Sequence, residues 1–224
     1  MMEPHTVLIE PKTQPEATVI LLHGLGADGH DLESLVPELR LPAAHPIRWI
    51  LPNAPLRPVT INGGYRMRAW YDIVAIDPHA PEDETGIRES ARSVGELVSH
   101  QRERGMASDR IILAGFSQGG AIAIFAALRW PERLGGVIAM SCYLPLPLTL
   151  GAEAHQTNAS IPIFMAHGTS DPVVPRDLGE ATRDLLRSKG YSVAWHTYQM
   201  QHSICAEEVG DLREWLLRIL AVFD

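Results

Sequence analysis

The sequence predicts an α/β fold, with a mainly parallel central sheet and helices on both faces. Three observations lead there. Short apolar, β-branched runs recur along the chain, segments of helical period separate them, and turn residues close most of the runs. Strands that alternate with helices pair in parallel, because each crossover returns the chain to the same end of the sheet.

The first run, 18–24 (TVILLHG), is apolar almost throughout, as a strand covered on both faces should be. The second, 47–55 (IRWILPNAP), is ended by prolines. Residues 53–72 read as a two-stranded excursion carrying Tyr65, Met67, Trp70 and Tyr71. From 82 to 104 the apolar residues Ile87, Ala91, Val94, Leu97 and Val98 form a helical stripe, and Gly105 is placed to stop it. A strand at 110–116 (RIILAGF) leads into a helix of small residues at 118–130. Strands follow at 134–141 and 161–168, a helix at 176–189, a strand at 192–199 and a closing helix at 205–223. No repeat, low-complexity tract or linker interrupts this alternation, so residues 1–224 are expected to form a single domain.

Composition excludes several classes of function. A net charge of -8 argues against nucleic acid, which requires a basic face. No apolar run approaches the roughly 20 residues of a membrane helix, so no stable membrane insertion is expected. The first residues, MMEPHTVLIEPKTQPEATV, do not pair a basic start with an apolar stretch, so they do not read as a signal peptide. Cys142 and Cys205 are too few for a disulfide framework in a chain of this length and read as free thiols. A cytoplasmic protein is expected.

The segment LAGFSQGG (113–120) raises the first chemical question, because glycines stand two residues either side of Ser117. A serine on a sharp strand-to-helix turn needs them, since side chains there would collide with the turn. Such a serine is a nucleophile only with a base to take its proton and a carboxylate to orient that base. The expected chain order is Ser, Asp, His. Asp171, just past the 161–168 strand in HGTSDPVVP, supplies the acid, while Asp177 and Asp184 fall on the next helix and face solvent. Among 10 histidines, His202 alone lies between the last strand and the last helix, from where a loop reaches the serine. His23 and His167 precede glycines at strand ends and read as turn braces, and His196 as strand packing. His5, His30, His45, His79, His100 and His155 read as surface. Charge developing on a carbonyl oxygen needs fixed N–H donors. One comes from the residue after the nucleophile, Gln118, and one from the early HGLGADG loop at Leu25.

The pieces LLHGLGADG, LPNAPLRPVTINGGYRMRAWYDI, LAGFSQGGA, LGGVIAMS, HGTSDPVV and the histidine after YQM occur in order over nearly the whole chain. In them the sequence resembles the bacterial carboxylesterases of the acyl-protein thioesterase family, in the α/β-hydrolase superfamily. The resemblance implies an α/β-hydrolase fold with no large cap domain, no cofactor and no metal. It implies the triad Ser117, Asp171 and His202, and oxyanion donors on Leu25 and Gln118. Some members form homodimers, so a homodimer is possible here. Gln201 departs from the pattern, since the family usually has glycine just before the histidine.

Absence of a cap is also legible without the resemblance. Only about 20 residues separate the strands ending near 141 and starting near 161, too few for a covering domain. An acyl-binding wall is expected from residues 65–71 and 143–150, with Met67, Trp70 and Leu144 as substrate contacts; the alternatives are a dimer contact or a loop packed over the core for 143–150, and plain core for the aromatic residues of the excursion. These observations predict a serine hydrolase acting on small-molecule carboxylic esters of short to medium acyl chains through an acyl-enzyme. Removal of palmitoyl groups from proteins is the alternative. A non-catalytic binding protein on the same fold is disfavoured, because every triad member and elbow glycine is present.

Overall fold

The structure, a computed structural model, describes residues 6–77 and 80–221. Nine strands are present among them: β1 (Val7–Ile9), β2 (Ala17–Leu22), β3 (Ile47–Leu51), β4 (Leu56–Val59), β5 (Tyr65–Arg68), β6 (Ile111–Phe116), β7 (Gly136–Met140), β8 (Ile163–Gly168) and β9 (Val193–Tyr198). Seven build one sheet in the order β1-β3-β2-β6-β7-β8-β9, and β4 and β5 form a separate antiparallel ribbon. Within the sheet β1 runs antiparallel to β3, and every other neighbouring pair is parallel. The α-helices are α1 (Leu35–Glu38), α2 (Glu84–Glu103), α3 (Gln118–Arg129), α4 (Leu150–Glu153), α5 (Arg176–Ser188) and α6 (Ala206–Leu220).

Alternation along β2 shows how the sheet divides the core. Ile20 and Leu22 face one side with Ile87, Val94 and Val98 of α2, much of α3 and Leu186 of α5. Val19 and Leu21 face the other side with Leu35 of α1 and Leu212, Trp215 and Leu216 of α6. Successive strand residues point to opposite faces, so a strand buried throughout is largely apolar. That is why β2 and β3 read as apolar runs instead of alternating ones, broken only by Thr18 and by Arg48, which pairs with Glu10 and Gln101.

The predicted strands and long helices are all present, with bounds that differ at their ends. The runs 18–24 and 47–55 stop as strands at Leu22 and Leu51. Beyond them the backbone leaves the ladder and the His23 ring ties the two exits together, its Nδ1 donating to the Gly24 carbonyl and its Nε2 accepting from the Ala54 N–H. Strand β1 was not predicted. Three residues are too few for any period to register, and only pairing of Val7–Ile9 with β3 defines the strand. Between β7 and β8 the chain holds only short turns and the four-residue α4, with no covering domain. Among the described residues no helix is long and apolar enough to cross a membrane.

One buried carboxyl makes the fold sensitive to pH. Glu208, in the first turn of α6, is fully buried, and neither of its oxygens has a hydrogen-bond partner. Burial pushes its pKa from 4.5 up to about 8, against a weaker opposing influence of the Cys205 backbone. Below pH 4.5 the group is protonated both folded and unfolded. As pH rises from there, the unfolded chain releases the proton while the folded one keeps it, so stability falls until about pH 8. The loss over that window should be on the order of 5 kcal/mol. Glu208→Gln should remove most of this slope, as read by urea unfolding at pH 5 and pH 8. Equal slopes for the two proteins would show that Glu208 is not its source.

Candidate active site

Parallel strands in register deliver their C-terminal ends to one edge, so the residues that follow them meet. Phe116 of β6 pairs with Met140 of β7, Met140 with Ala166 of β8, and Gly168 with Tyr198 of β9. Ser117, Asp171 and His202 follow β6, β8 and β9, and the structure brings all three together. His202 Nε2 lies 2.9 Å from Ser117 Oγ, and its Nδ1 lies 2.7 Å from Asp171 Oδ2. The Asp171 side chain is fully buried, and its other oxygen accepts the N–H groups of Val173 and Val174 at 2.8 and 2.9 Å. Those two bonds fix the carboxylate and leave Oδ2 for the histidine. The Phe116 ring lies against the His202 ring with centroids 4.7 Å apart, limiting its rotation.

Ser117 has φ 55° and ψ -122°, a left-handed conformation that non-glycine residues seldom adopt. Its N–H donates to the Met140 carbonyl at 2.8 Å, which pins the strained turn to β7. The surrounding glycines answer to backbone contacts. A Cβ on Gly115 would run into Gly119, and one on Gly119 into the carbonyls of Leu22 and His23. A Cβ on Gly120 would stand 2.8 Å from Cys142 Sγ. The start of α3 is therefore pressed directly onto the exits of β2 and β6, and Oγ projects above them.

The two residues expected to supply oxyanion donors, Leu25 and Gln118, lie at the same edge. Gln118 is the first residue of α3, where backbone N–H groups have no acceptor inside the helix. A Cβ on Gly24 would lie 3.5 Å from Ser117 Cβ, so the loop bearing Leu25 adjoins the serine. Gly26 takes φ 78° and donates its N–H to the Arg68 carbonyl, anchoring the far side of that loop to β5. Removal of one such donor typically costs about 3–4 kcal/mol of transition-state stabilisation.

The Gln118 side chain has a part that sequence patterns did not suggest. Its Oε1 accepts the Trp70 N–H and its Nε2 donates to the Tyr71 carbonyl, both at 2.7 Å. Tyr71 opens the lining of an apolar cavity of about 240 Å³, with Ile73, Ile76, Leu144, Leu178 and Leu185 among its walls. Tyr143 and Leu144 also line it, directly after Cys142, which adjoins Gly120 of the elbow. Both stretches are thus tied to residues beside Ser117, although the lining stops short of Ser117 itself. Ile73 and Ile76 could have been suspected from the apolar DIVAI stretch, and Leu178 and Leu185 from their seven-residue spacing on one face of α5.

The three expected substrate contacts separate. Leu144 lines the cavity. Met67 does not line it, but its sulfur would lie 3.6 Å from a Cβ on Gly26, beside the oxyanion loop. Trp70 does not line it either. It is 3% exposed, its indole N–H donates to the His23 carbonyl at 2.9 Å, and it borders a separate groove beside α2. An indole buried this deeply needs an acceptor for its N–H, and that acceptor holds Trp70 at the exit of β2. Of the expected wall, Tyr71, Tyr143, Leu144 and Pro147 reach the cavity.

The remaining candidates fall away from the serine. His23 braces the loop as expected, and burial holds its pKa down. His196 stacks on Phe164 with centroids 5.0 Å apart, and Nδ1 faces Asp211 at 3.1 Å. His30, His100 and His155 are exposed, while His5 and His79 lie outside the described residues. Asp177 and Asp184 are exposed on α5. Gln201 is exposed, and its carbonyl and that of Met200 crowd Gly168 so closely that a Cβ there would collide with both. Burial pushes the Cys142 thiol far up, so it is no rival nucleophile. Among the described residues, no group of three His, Cys, Asp or Glu is placed to hold a metal ion.

Comparison with known proteins finds relatives over nearly the whole chain. The sequence pattern of the phospholipase/carboxylesterase family matches residues 3–220. The chain is 42% identical over 219 residues to acyl-protein thioesterase 1 of Neurospora crassa, covering 94% of this chain and 89% of that one. It is 37% identical over 229 residues to acyl-protein thioesterase 1 of Cryptococcus neoformans, covering 95% and 96%. Its structure resembles acyl-protein thioesterase 2 of Zea mays with a TM-score of 0.86, at 32% identity over 96% of this chain and 99% of that one. These relatives are eukaryotic, so the bacterial part of the sequence resemblance is not supported.

Proposed function

The chain belongs to the phospholipase/carboxylesterase family, and from that premise we propose that it is a serine hydrolase removing acyl groups from protein thioesters, with oxygen esters of the same acids as further substrates. The observation that carries the reading is the hydrogen-bonded chain Ser117–His202–Asp171. The names of the curated relatives favour the thioester over a short soluble ester, which reverses the order the sequence suggested.

In this reading Ser117 Oγ attacks the acyl carbonyl as His202 Nε2 takes its proton, and Asp171 holds the ring in the required tautomer. The N–H groups of Leu25 and Gln118 receive the negative charge on the carbonyl oxygen. Collapse expels the thiolate, which takes the proton back from His202. Water then repeats the sequence, leaving free acid and Ser117.

Acyl-chain length tests the cavity. About 240 Å³ equals roughly eight water volumes, and a methylene needs similar room. Each methylene buried gives at most ~0.8 kcal/mol, nearly fourfold in kcat/KM. For p-nitrophenyl esters of two to sixteen carbons, kcat/KM should climb and level off near eight to ten. With no covering domain between β7 and β8, no jump is expected where the substrate forms micelles. S-octanoyl and S-palmitoyl peptides should both be cleaved, the longer tail remaining outside the cavity. A flat profile from two to eight carbons, or intact S-acyl peptides, would overturn the reading.

A further inference from the structure

His167 is the penultimate residue of β8 and has no direct contact with Ser117, yet its completely buried ring lies under the acid. Its Nε2 is 2.9 Å from the Val174 carbonyl, to which it donates, and 3.6 Å from Asp171 Oδ2, the oxygen that faces His202. The Val173 and Val174 N–H groups hold the other Asp171 oxygen. The residue that His167 grips is therefore one of the two that grip the carboxylate.

The ring is retained at a cost. With the proton on Nε2, Nδ1 is a buried acceptor without a partner, and a buried polar atom left unpaired disfavours folding. Gly179 of α5 makes room on that side, since a Cβ there would stand 2.5 Å from Nδ1. A leucine or phenylalanine could fill the space without the orphaned atom. We propose that His167 is a positioning residue, which clamps the Asp171–Val174 turn through Nε2–H so that Oδ2 meets His202. The charged groups facing its ring are Asp171 on the turn, His202 on the loop after β9 and Arg176 on α5, with Trp195 of β9 packed alongside. Burial holds the ring's pKa down, against the opposing pull of the Val174 carbonyl and Asp171.

The inference rests on the triad reading above, and the experiment separates the two. His167→Leu removes the donor. His167→Gln keeps an N–H that can reach the Val174 carbonyl. A displacement of about 1 Å at the reacting groups costs about 100-fold, so His167→Leu should lower kcat on p-nitrophenyl butyrate about 100-fold with KM within twofold. The acid limb of its kcat/KM profile should move to lower pH, because an imidazole whose carboxylate has swung away gives up its proton more readily. His167→Gln should recover most of the rate and return the limb. Its profile alone decides the matter if His167→Leu does not fold, since a shifted limb or a full rate loss in folded His167→Gln refutes the clamp. Equal losses in both variants with an unmoved limb would reduce His167 to packing, and a wild-type profile in His167→Leu would also overturn the proposal. Asp171→Asn run alongside tests the triad itself: if that variant turns over normally, the triad reading fails whatever His167 does.

Discussion

Ser117→Ala is expected to lower kcat on a p-nitrophenyl ester by roughly 10⁴ to 10⁶ while leaving the circular dichroism spectrum unchanged. The size follows from the geometry. Ser117 is the hydroxyl within reach of His202 Nε2, and without it no acyl-enzyme forms. Alanine differs only by the missing oxygen and inherits the same φ of 55°, so the turn and its bond to Met140 should persist. The residual rate should come from the oxyanion donors and binding alone. Well-folded Ser117→Ala with near-normal turnover would make the elbow a structural turn and revive the non-catalytic reading of the fold.

Asp171→Asn should cost about 10⁴ in kcat. The buried carboxylate takes two backbone N–H groups on one oxygen and His202 Nδ1 on the other. An amide oxygen can keep the first arrangement, but its NH₂ then faces His202 and demands an acceptor there. That selects the tautomer with the proton on Nε2, which is unable to accept one from Ser117. Asp177→Asn, on the exposed side of α5, should change the rate by less than about twofold, as surface changes away from such features usually do. A reversal of the two effects would move the acid to the helix.

Much of this site was legible because the fold turns position along the chain into position in space. Ser117, Asp171 and His202 each follow a strand of a parallel sheet, so the sequence order of strands and polar residues was enough to bring them to one edge. Trp70 shows where that reasoning stops. Its aromatic character and its place near the excursion suggested a substrate wall, but which way an indole faces depends on where its N–H finds an acceptor, and His23 lies 47 positions earlier. The cavity was half legible for the same reason. Leu144 and Pro147 stood out in an apolar loop, whereas Leu178 and Leu185 share one face of α5 by spacing, but that this face meets the loop follows only from tertiary packing. Strand β1 was invisible because its identity lies in its partner.

The exit of β7 contributes no member of the triad. It anchors Ser117 through the Met140 carbonyl, and the chain then turns away into Tyr143 and Leu144 on the cavity wall. In the proposed reading Ser117, Asp171 and His202 hang from β6, β8 and β9, while Tyr143, Leu144 and Pro147, between β7 and β8, line the cavity. Exchange of residues 143–150 with the matching stretch of a relative should then alter acyl preference and leave those three residues on untouched backbone.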